Sequence, residues 1–355
     1  MASMDQPRFE DLNSAMPESG KVNRRDQPRC SSVKPFAVVM CLFLASSCSA
    51  SAQTFDPRDP RSPLHLIRVI ELPGVKGRID HMALDADGKH LFVAENGNGS
   101  LDDVDLASGK IVRRIDGLHE PQGVAWLPSQ REIAVASGDG LVTFYRGTDG
   151  REVATLSLGA DADNVRVDPR NGDLVVGYGS GGLAVIDPAT HRVIGRVALP
   201  AHPEAFELLG AKVFVNIPDA HKIVVADLDR ERISSTLSTG LFFGNFPMAS
   251  DATGSRIAVA YRTPGTVSVL DAQSGATIFS APICGDADDL YFRRRQLIIV
   301  CGSGAVELID QPRHHIRVRT QRGARTGVLD RISDHLLVAV PSRQSAAAIW
   351  EFSFR

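Results

Sequence analysis

From Arg78 onward, short apolar runs alternate with knots of Gly, Asp, Asn, Pro and Ser, and the alternation recurs about every 40 residues. Seven copies can be counted. Each opens on a polar knot that leads into a strand-like run. The first four are Asp80-His81-Met82-Ala83-Leu84, His119-Glu120-Pro121-Gln122-Gly123-Val124, Asp161-Ala162-Asp163-Asn164-Val165 and His202-Pro203-Glu204-Ala205-Phe206. The last three are Asn245-Phe246-Pro247-Met248, Asp286-Ala287-Asp288-Asp289-Leu290 and Arg325-Thr326-Gly327-Val328. Within the third copy, residues 164–168, 173–178, 182–187 and 193–198 are short, β-branched and bounded by turn residues, which predicts four strands. Pairs such as Asp87-Gly88, Ser108-Gly109, Asp149-Gly150, Asn171-Gly172 and Thr253-Gly254 put glycine where tight hairpins need positive φ. No segment after residue 60 keeps a helical period.

Four short strands cannot bury both faces of their sheet alone. Seven such sheets closed into a ring can, so the pattern predicts an all-β fold: a seven-bladed β-propeller of four-stranded antiparallel blades. The seventh unit, 324–355, holds only three strands. Residues 64–72 (Leu-His-Leu-Ile-Arg-Val-Ile-Glu-Leu) have the character of the missing fourth. Pairing this N-terminal strand with the C-terminal blade closes the ring and removes an exposed sheet edge.

The chain has 355 residues and a formal net charge of −3, with Lys+Arg and Asp+Glu nearly balanced and intermixed. That size suits one large all-β domain, and the balanced, intermixed charge argues against a nucleic-acid surface. The basic run Arg293-Arg294-Arg295 reads as a solvated hairpin tip. The N-terminus differs. Residues 1–34 are polar, and Arg24, Arg25, Arg29 and Lys34 precede the apolar run 36–45, which is too short to span a bilayer. The run ends in small residues and Ala50-Ser51-Ala52, a signal-peptidase pattern. The expected organisation is therefore a leader and signal peptide at 1–52, a Pro/Arg-rich linker at 53–63 and the propeller at 64–355. Export to the periplasm or beyond follows, with cleavage after Ala52, no transmembrane span in the mature chain and a monomeric state. Met16 is an alternative start, and Cys48 an alternative lipid-anchor site.

Only Cys284 and Cys301 survive in the mature chain. Folding the hairpin about Arg294 sets Asp288, not Cys284, opposite Cys301. A disulfide then requires a register shift or bulge, so two small buried apolar residues are the expectation.

The chain resembles the secreted bacterial YVTN-repeat propellers, the YncE-like group, over residues 64–352. The resemblance rests on Arg78-Ile79-Asp80-His81-Met82-Ala83, His119-Glu120-Pro121-Gln122-Gly123 and Asp161-Ala162-Asp163-Asn164-Val165-Arg166. Further matches are Gly177-Tyr178-Gly179-Ser180-Gly181, residues 214–220, Asn245-Phe246-Pro247-Met248-Ala249, Asp286-Ala287-Asp288-Asp289-Leu290, Gly323-Ala324-Arg325-Thr326 and Ala339-Val340-Pro341. The tetrad that names the group is degenerate here, as Leu91-Phe92-Val93-Ala94 and Val213-Phe214-Val215-Asn216. The resemblance implies the fold and export and attaches no reaction.

One face of the ring is chemically distinctive. Aligned on the first strand of each unit, one position reads Asp80, Gln122, Asp163, Glu204, Phe246, Asp288, Arg325. Two residues earlier the chain reads Arg78, Glu120, Asp161, His202, Gly244, Asp286, Gly323. Turn formation does not require these acids, histidines and arginines. With His81, His119, Asn164, Asn245 and Asp289 they make a candidate ligand-binding ring around the channel mouth. Three readings stay open. A divalent ion, Ca²⁺ or Zn²⁺, held by His119, Glu120, His202 and Glu204 would support a lactonase-like hydrolase or a lyase. A metal-free polar pocket would bind a small molecule or a protein partner, with Arg78 and Arg325 gripping an anionic or carbonyl group. Alternatively the groups pair between blades to fix register, as Arg166 and Glu207, equivalent in adjacent blades, are expected to do. Gly179-Ser180-Gly181-Gly182 and Gly302-Ser303-Gly304 read as tight connections, since no helix follows either to complete a phosphate site.

Overall fold

The computed structural model describes residues 52–355 except 311–313 and 344. The expected leader and signal peptide, with Met16, Cys48 and nearly all of the cleavage motif, lies outside the described residues. The rest forms seven blades in a ring. Blades 1 to 6 span residues 82–116, 121–157, 162–198, 206–238, 243–282 and 287–319, each with its four strands hydrogen-bonded in chain order from the innermost first strand outward. Blade 7 takes three strands from 326–354 and its outermost strand, Leu64–Leu72, from the N-terminal side of the domain. In the third blade the strands are Ala162–Val167, Leu174–Tyr178, Gly182–Asp187 and Arg192–Ala198, within two residues of the segments legible in the sequence. The turn glycines behave as predicted: φ is 67° at Gly88, 66° at Gly109, 71° at Gly150, 85° at Gly172 and 67° at Gly254.

Closure is visible in the packing. Strand Leu64–Leu72 runs antiparallel to Ala347–Phe354, with Leu64 opposite Phe354 and Leu72 opposite Ala347. The apolar core divides into seven clusters, each shared by two neighbouring blades. The cluster at the seam joins Ile70 and Leu72 to Met82, Leu91 and Val93 of blade 1. Each fully buried aliphatic side chain contributes roughly 1.5–3 kcal/mol, so the three at 0–2% exposure in the closing strand, Leu64, Ile70 and Leu72, stabilise the ring by several kcal/mol.

Three details depart from expectation. The segment read as linker begins with a strand: Gln53–Phe55 pairs in parallel with His314–Arg319 and makes blade 6 five-stranded. Cys284 and Cys301 are joined by a disulfide, with Cα atoms 6.2 Å apart. A register break between Ala287 and Asp289 sets Ala287 opposite Cys301 and brings the preceding loop alongside. Finally, Arg293 is not free in solvent: its guanidinium pairs with Asp334 and sits 4.0 Å from the Phe354 ring centre, while Arg294 (φ 57°) makes the turn. No helix among the described residues is long and apolar enough to cross a membrane.

The channel mouth as candidate functional site

The first strands of blades 2, 3, 5 and 6 share a local defect. Pairing with the second strand breaks between Pro121 and Val124, Ala162 and Val165, Asn245 and Met248, and Ala287 and Asp289. A bulge adds a residue, bends the strand and re-aims its side chains. The bulged residues include Gln122, Asp163, Phe246 and Asp288, four of the seven ring positions read from the sequence. All seven of those positions, Asp80, Glu204 and Arg325 being the other three, line one cavity of about 560 Å³ at the axis. At the blade 2–3 junction the chains approach so closely that a Cβ on Gly123 would lie 1.9 Å from the Asp163 carbonyl oxygen, so only glycine fits there.

Arg78, His81, Asp161, Asn164, His202 and Asp289 also line the cavity. Four predicted residues do not. His119 and Glu120 are exposed on the loop before blade 2, where Glu120 takes positive φ (47°). Asn245 is fully buried and donates to Asn216 Oδ1 and the Lys222 carbonyl. Asp286 lies beside the disulfide and the guanidinium of Arg325. The position two residues ahead of the ring thus reaches the cavity in blades 1, 3 and 4 only. The metal quartet His119, Glu120, His202 and Glu204 is therefore not gathered. Among the described residues, one group of three ligand-type side chains converges, Cys284, Asp286 and Cys301, and its sulfurs are bonded to each other.

Arg166 and Glu207 are not an ion pair. Arg166 stacks 5.7 Å from the Phe206 ring centre in the next blade and donates to the Val165 carbonyl, while Glu207 accepts from Ser250 Oγ at 2.6 Å. Both still line the cavity, with Tyr291 and Arg331. The sequence reading missed those last two and, at the mouth, Arg262. This arginine ends the second strand of blade 5, stacks 3.7 Å from the Phe246 ring centre and pairs with Asp288. An arginine at that strand end, in the one blade whose ring position is aromatic, was the available signal.

The mouth is a chain of charges. Arg78 Nη2 donates to Asp80 Oδ1 at 2.9 Å. His81 Nδ1 is 3.3 Å from the same oxygen, in ion-pair range though not aligned as a hydrogen bond, and 3.9 Å from Asp163 Oδ1. His202 Nδ1 donates to the Gly179 carbonyl at 2.6 Å and lies 3.7 Å from Asp161 Oδ2, whose other oxygen accepts from Gln122 at 2.9 Å. Burial opposes charge on His81, but the Asp80 carboxylate, with Asp163 and Asp289 beyond it, outweighs burial and carries the imidazole up to about 10. Asp163 likewise lifts His202, against burial, to about 9. Asp80 is held below the usual carboxylate range: burial pushes it up, and His81 and Arg78 more than offset this.

Two acids move the other way. Burial and the charge of Asp163 push Glu204 up to about 7, despite His202, His81 and Arg262. Burial pushes Asp289 up to about 7, although His81 and the Gly327 N–H, 2.7 Å from its Oδ2, favour its charge. At neutral pH the mouth therefore holds two charged imidazoles, several guanidinium groups and two carboxyls poised to exchange a proton. It can orient an ionised ligand and can pass a proton to or from it. No protein-family model matches the chain, and no curated protein matches it.

Proposed function

We propose that this propeller is an exported recognition module, YVTN-repeat and YncE-like in kind, that binds a small molecule or a protein partner at its channel mouth as a monomer. One observation carries the reading. Acids from blades 1 and 3 meet at a mouth cavity while Asp80 Oδ2 and Asp163 Oδ1, both buried, lack any hydrogen-bond donor. Unsatisfied buried oxygens cost stability, and a ligand that supplies donors removes the cost. The N-terminal signal pattern and the disulfide both fit an oxidising compartment. Thermal-shift screening of polar metabolites against the wild type and Asp163→Asn/Glu204→Gln tests the binding claim. A stabilising hit that disappears in the double variant supports it. Hits that persist in that variant, or a panel without hits, overturn it. Intact mass of the exported protein tests export: a mature chain beginning at Gln53 is expected.

A second reading, a hydrolase or lyase on the same face, is favoured by the carboxyls of Glu204 and Asp289 near 7, the range of a working acid or base. The donors expected for a Ca²⁺ or Zn²⁺ ion do not fit, since two of the four lie off the cavity. This reading therefore stands on acid–base chemistry alone. Lactone hydrolysis with a rate inflecting near pH 7, lost in Glu204→Gln, would establish it.

A further inference from the structure

The cavity wall carries five arginines, two histidines and seven carboxyl side chains, a near balance of sign. A site built for a polyanion or a polycation would be lopsided. Here both signs have unused hydrogen-bonding capacity, and they lie on opposite sides of the ring.

The open cations belong to adjacent blades 7 and 1. Arg325 Nε is 3.6 Å from Asp288 Oδ2, too long for a hydrogen bond, and its side chain is 40% exposed. Asp288 is already engaged by Arg262. Arg78 is 52% exposed and makes a single side-chain hydrogen bond, to Asp80, out of the five its guanidinium can donate.

The open acids belong to adjacent blades 3 and 4, across the ring. Asp163 Oδ1 is buried without a donor. No donor among the described residues reaches the Glu204 carboxyl, whose neighbours are Asp163, His202 and His81. On the cation side, Asp80 is 3% exposed and accepts from Arg78 through Oδ1, leaving Oδ2 unpartnered. The cavity, about 560 Å³, falls within the range of small-ligand sites.

We propose that the channel mouth takes a small zwitterion, an amino acid or short peptide with both ends free. Its carboxylate lies against Arg325 and Arg78, and its ammonium against Asp163 and Glu204. The guanidinium fork matches a carboxylate in two parallel hydrogen bonds. The N–H groups of an ammonium supply the donors that Asp163 Oδ1 and the Glu204 carboxyl lack. This inference rests on the mouth being the ligand site, and the test below separates the two.

The mature protein is titrated calorimetrically with alanylalanine, with its N-acetyl form, which keeps only the negative end, and with its C-terminal amide, which keeps only the positive end. Alanylalanine is expected to bind at least tenfold more tightly than either. Arg325→Gln should reduce it to the level of the amide and leave the amide itself unchanged. Asp163→Asn should do the same relative to the N-acetyl form. The wild-type comparison stands even where a variant is poorly folded. If a singly charged form binds as tightly as alanylalanine and loses affinity in either variant, the mouth is a ligand site and the zwitterion is wrong. The same follows if none of the three binds while a metabolite hit depends on Asp163. No binding in either experiment overturns both.

Discussion

Two regions of this propeller bury carboxylates, and they treat them in opposite ways. Inside blade 6, Glu307 is fully buried between the third and fourth strands. It accepts from Arg317 through Nε and Nη2, from His315 Nε2 at 3.0 Å and from the Cys284 backbone N–H at 3.3 Å. Burial alone would raise it, but His315 and Arg317 hold it below the usual carboxylate range. At the mouth, Glu204 and Asp289 rise to about 7, and Asp80 and Asp163 keep oxygens without donors. Blade 1 shows the scaffold solution under strain. Arg114 grips Asp102 at 2.7 and 2.6 Å, in the same strand positions as Arg317 and Glu307. There a second acid, Glu95, is buried beside Asp102 with its own Oε1 unpartnered, and burial and the neighbouring Asp102 push it up to about 8. Where the ring needs a buried acid for its architecture, it supplies the cations or retains the proton. At the mouth, the imidazoles of His81 and His202 stand beside Asp163, yet its Oδ1 receives no hydrogen bond. The contrast is one of degree: Glu307 meets four donors, and Asp163 Oδ1 meets none.

Breaking the scaffold side should have the largest effect. Arg317→Ala leaves Glu307 buried with only His315 as charge partner and is expected to lower stability by about 3 kcal/mol in equilibrium urea unfolding at pH 7, with mouth binding intact. An effect below about 1 kcal/mol would show that blade 6 is no better satisfied than the mouth.

The two regions should also respond to pH with opposite sign. Glu307 is depressed in the folded state, so its stabilisation is present above about 4.5 and is lost as pH falls through its lowered value. Glu204 is raised, so its contribution is full below about 4.5 and is lost as pH climbs to about 7. Glu204→Gln should therefore flatten the stability profile between pH 4.5 and 7, gaining on the wild type by about 1 kcal/mol across that interval after allowance for solvent screening. A parallel profile would place Glu204 in ordinary solvent.

At pH 6, Asp163→Asn/Glu204→Gln should change stability by no more than about 1 kcal/mol while abolishing the binding found in screening. A large loss of stability with binding unchanged would return these residues to the scaffold. The smallest effect is expected for the two predicted residues that lie off the cavity. His119→Ala and Glu120→Gln, off the cavity, should stay within about 0.5 kcal/mol of wild type and leave binding alone. A binding defect in either would enlarge the site beyond the cavity described.

The ring of seven was legible because a repeat cannot hide: each blade must pair with the next, so the same apolar spacing returns seven times. The closing strand was legible for the same reason, since 324–355 lacked one strand and 64–72 supplied it. The axial position Asp80, Gln122, Asp163, Glu204, Phe246, Asp288, Arg325 could be found by alignment, because equivalent residues of a closed ring share one distance from the axis. What alignment could not settle is how the chain enters each strand. Side chains alternate with a period of two, so a single bulge reassigns every preceding residue. The tertiary structure decided that Arg78, Asp161 and His202 face the cavity while Glu120 and Asp286 do not, and that the loop before blade 6 brings Cys284 onto Cys301. It also brought Arg262 from a second strand across Phe246 to Asp288, and gave Arg166 to Phe206 rather than to Glu207. Those contacts join residues whose distance depends on the tilt between two blades, and no local pattern in the chain encodes that tilt.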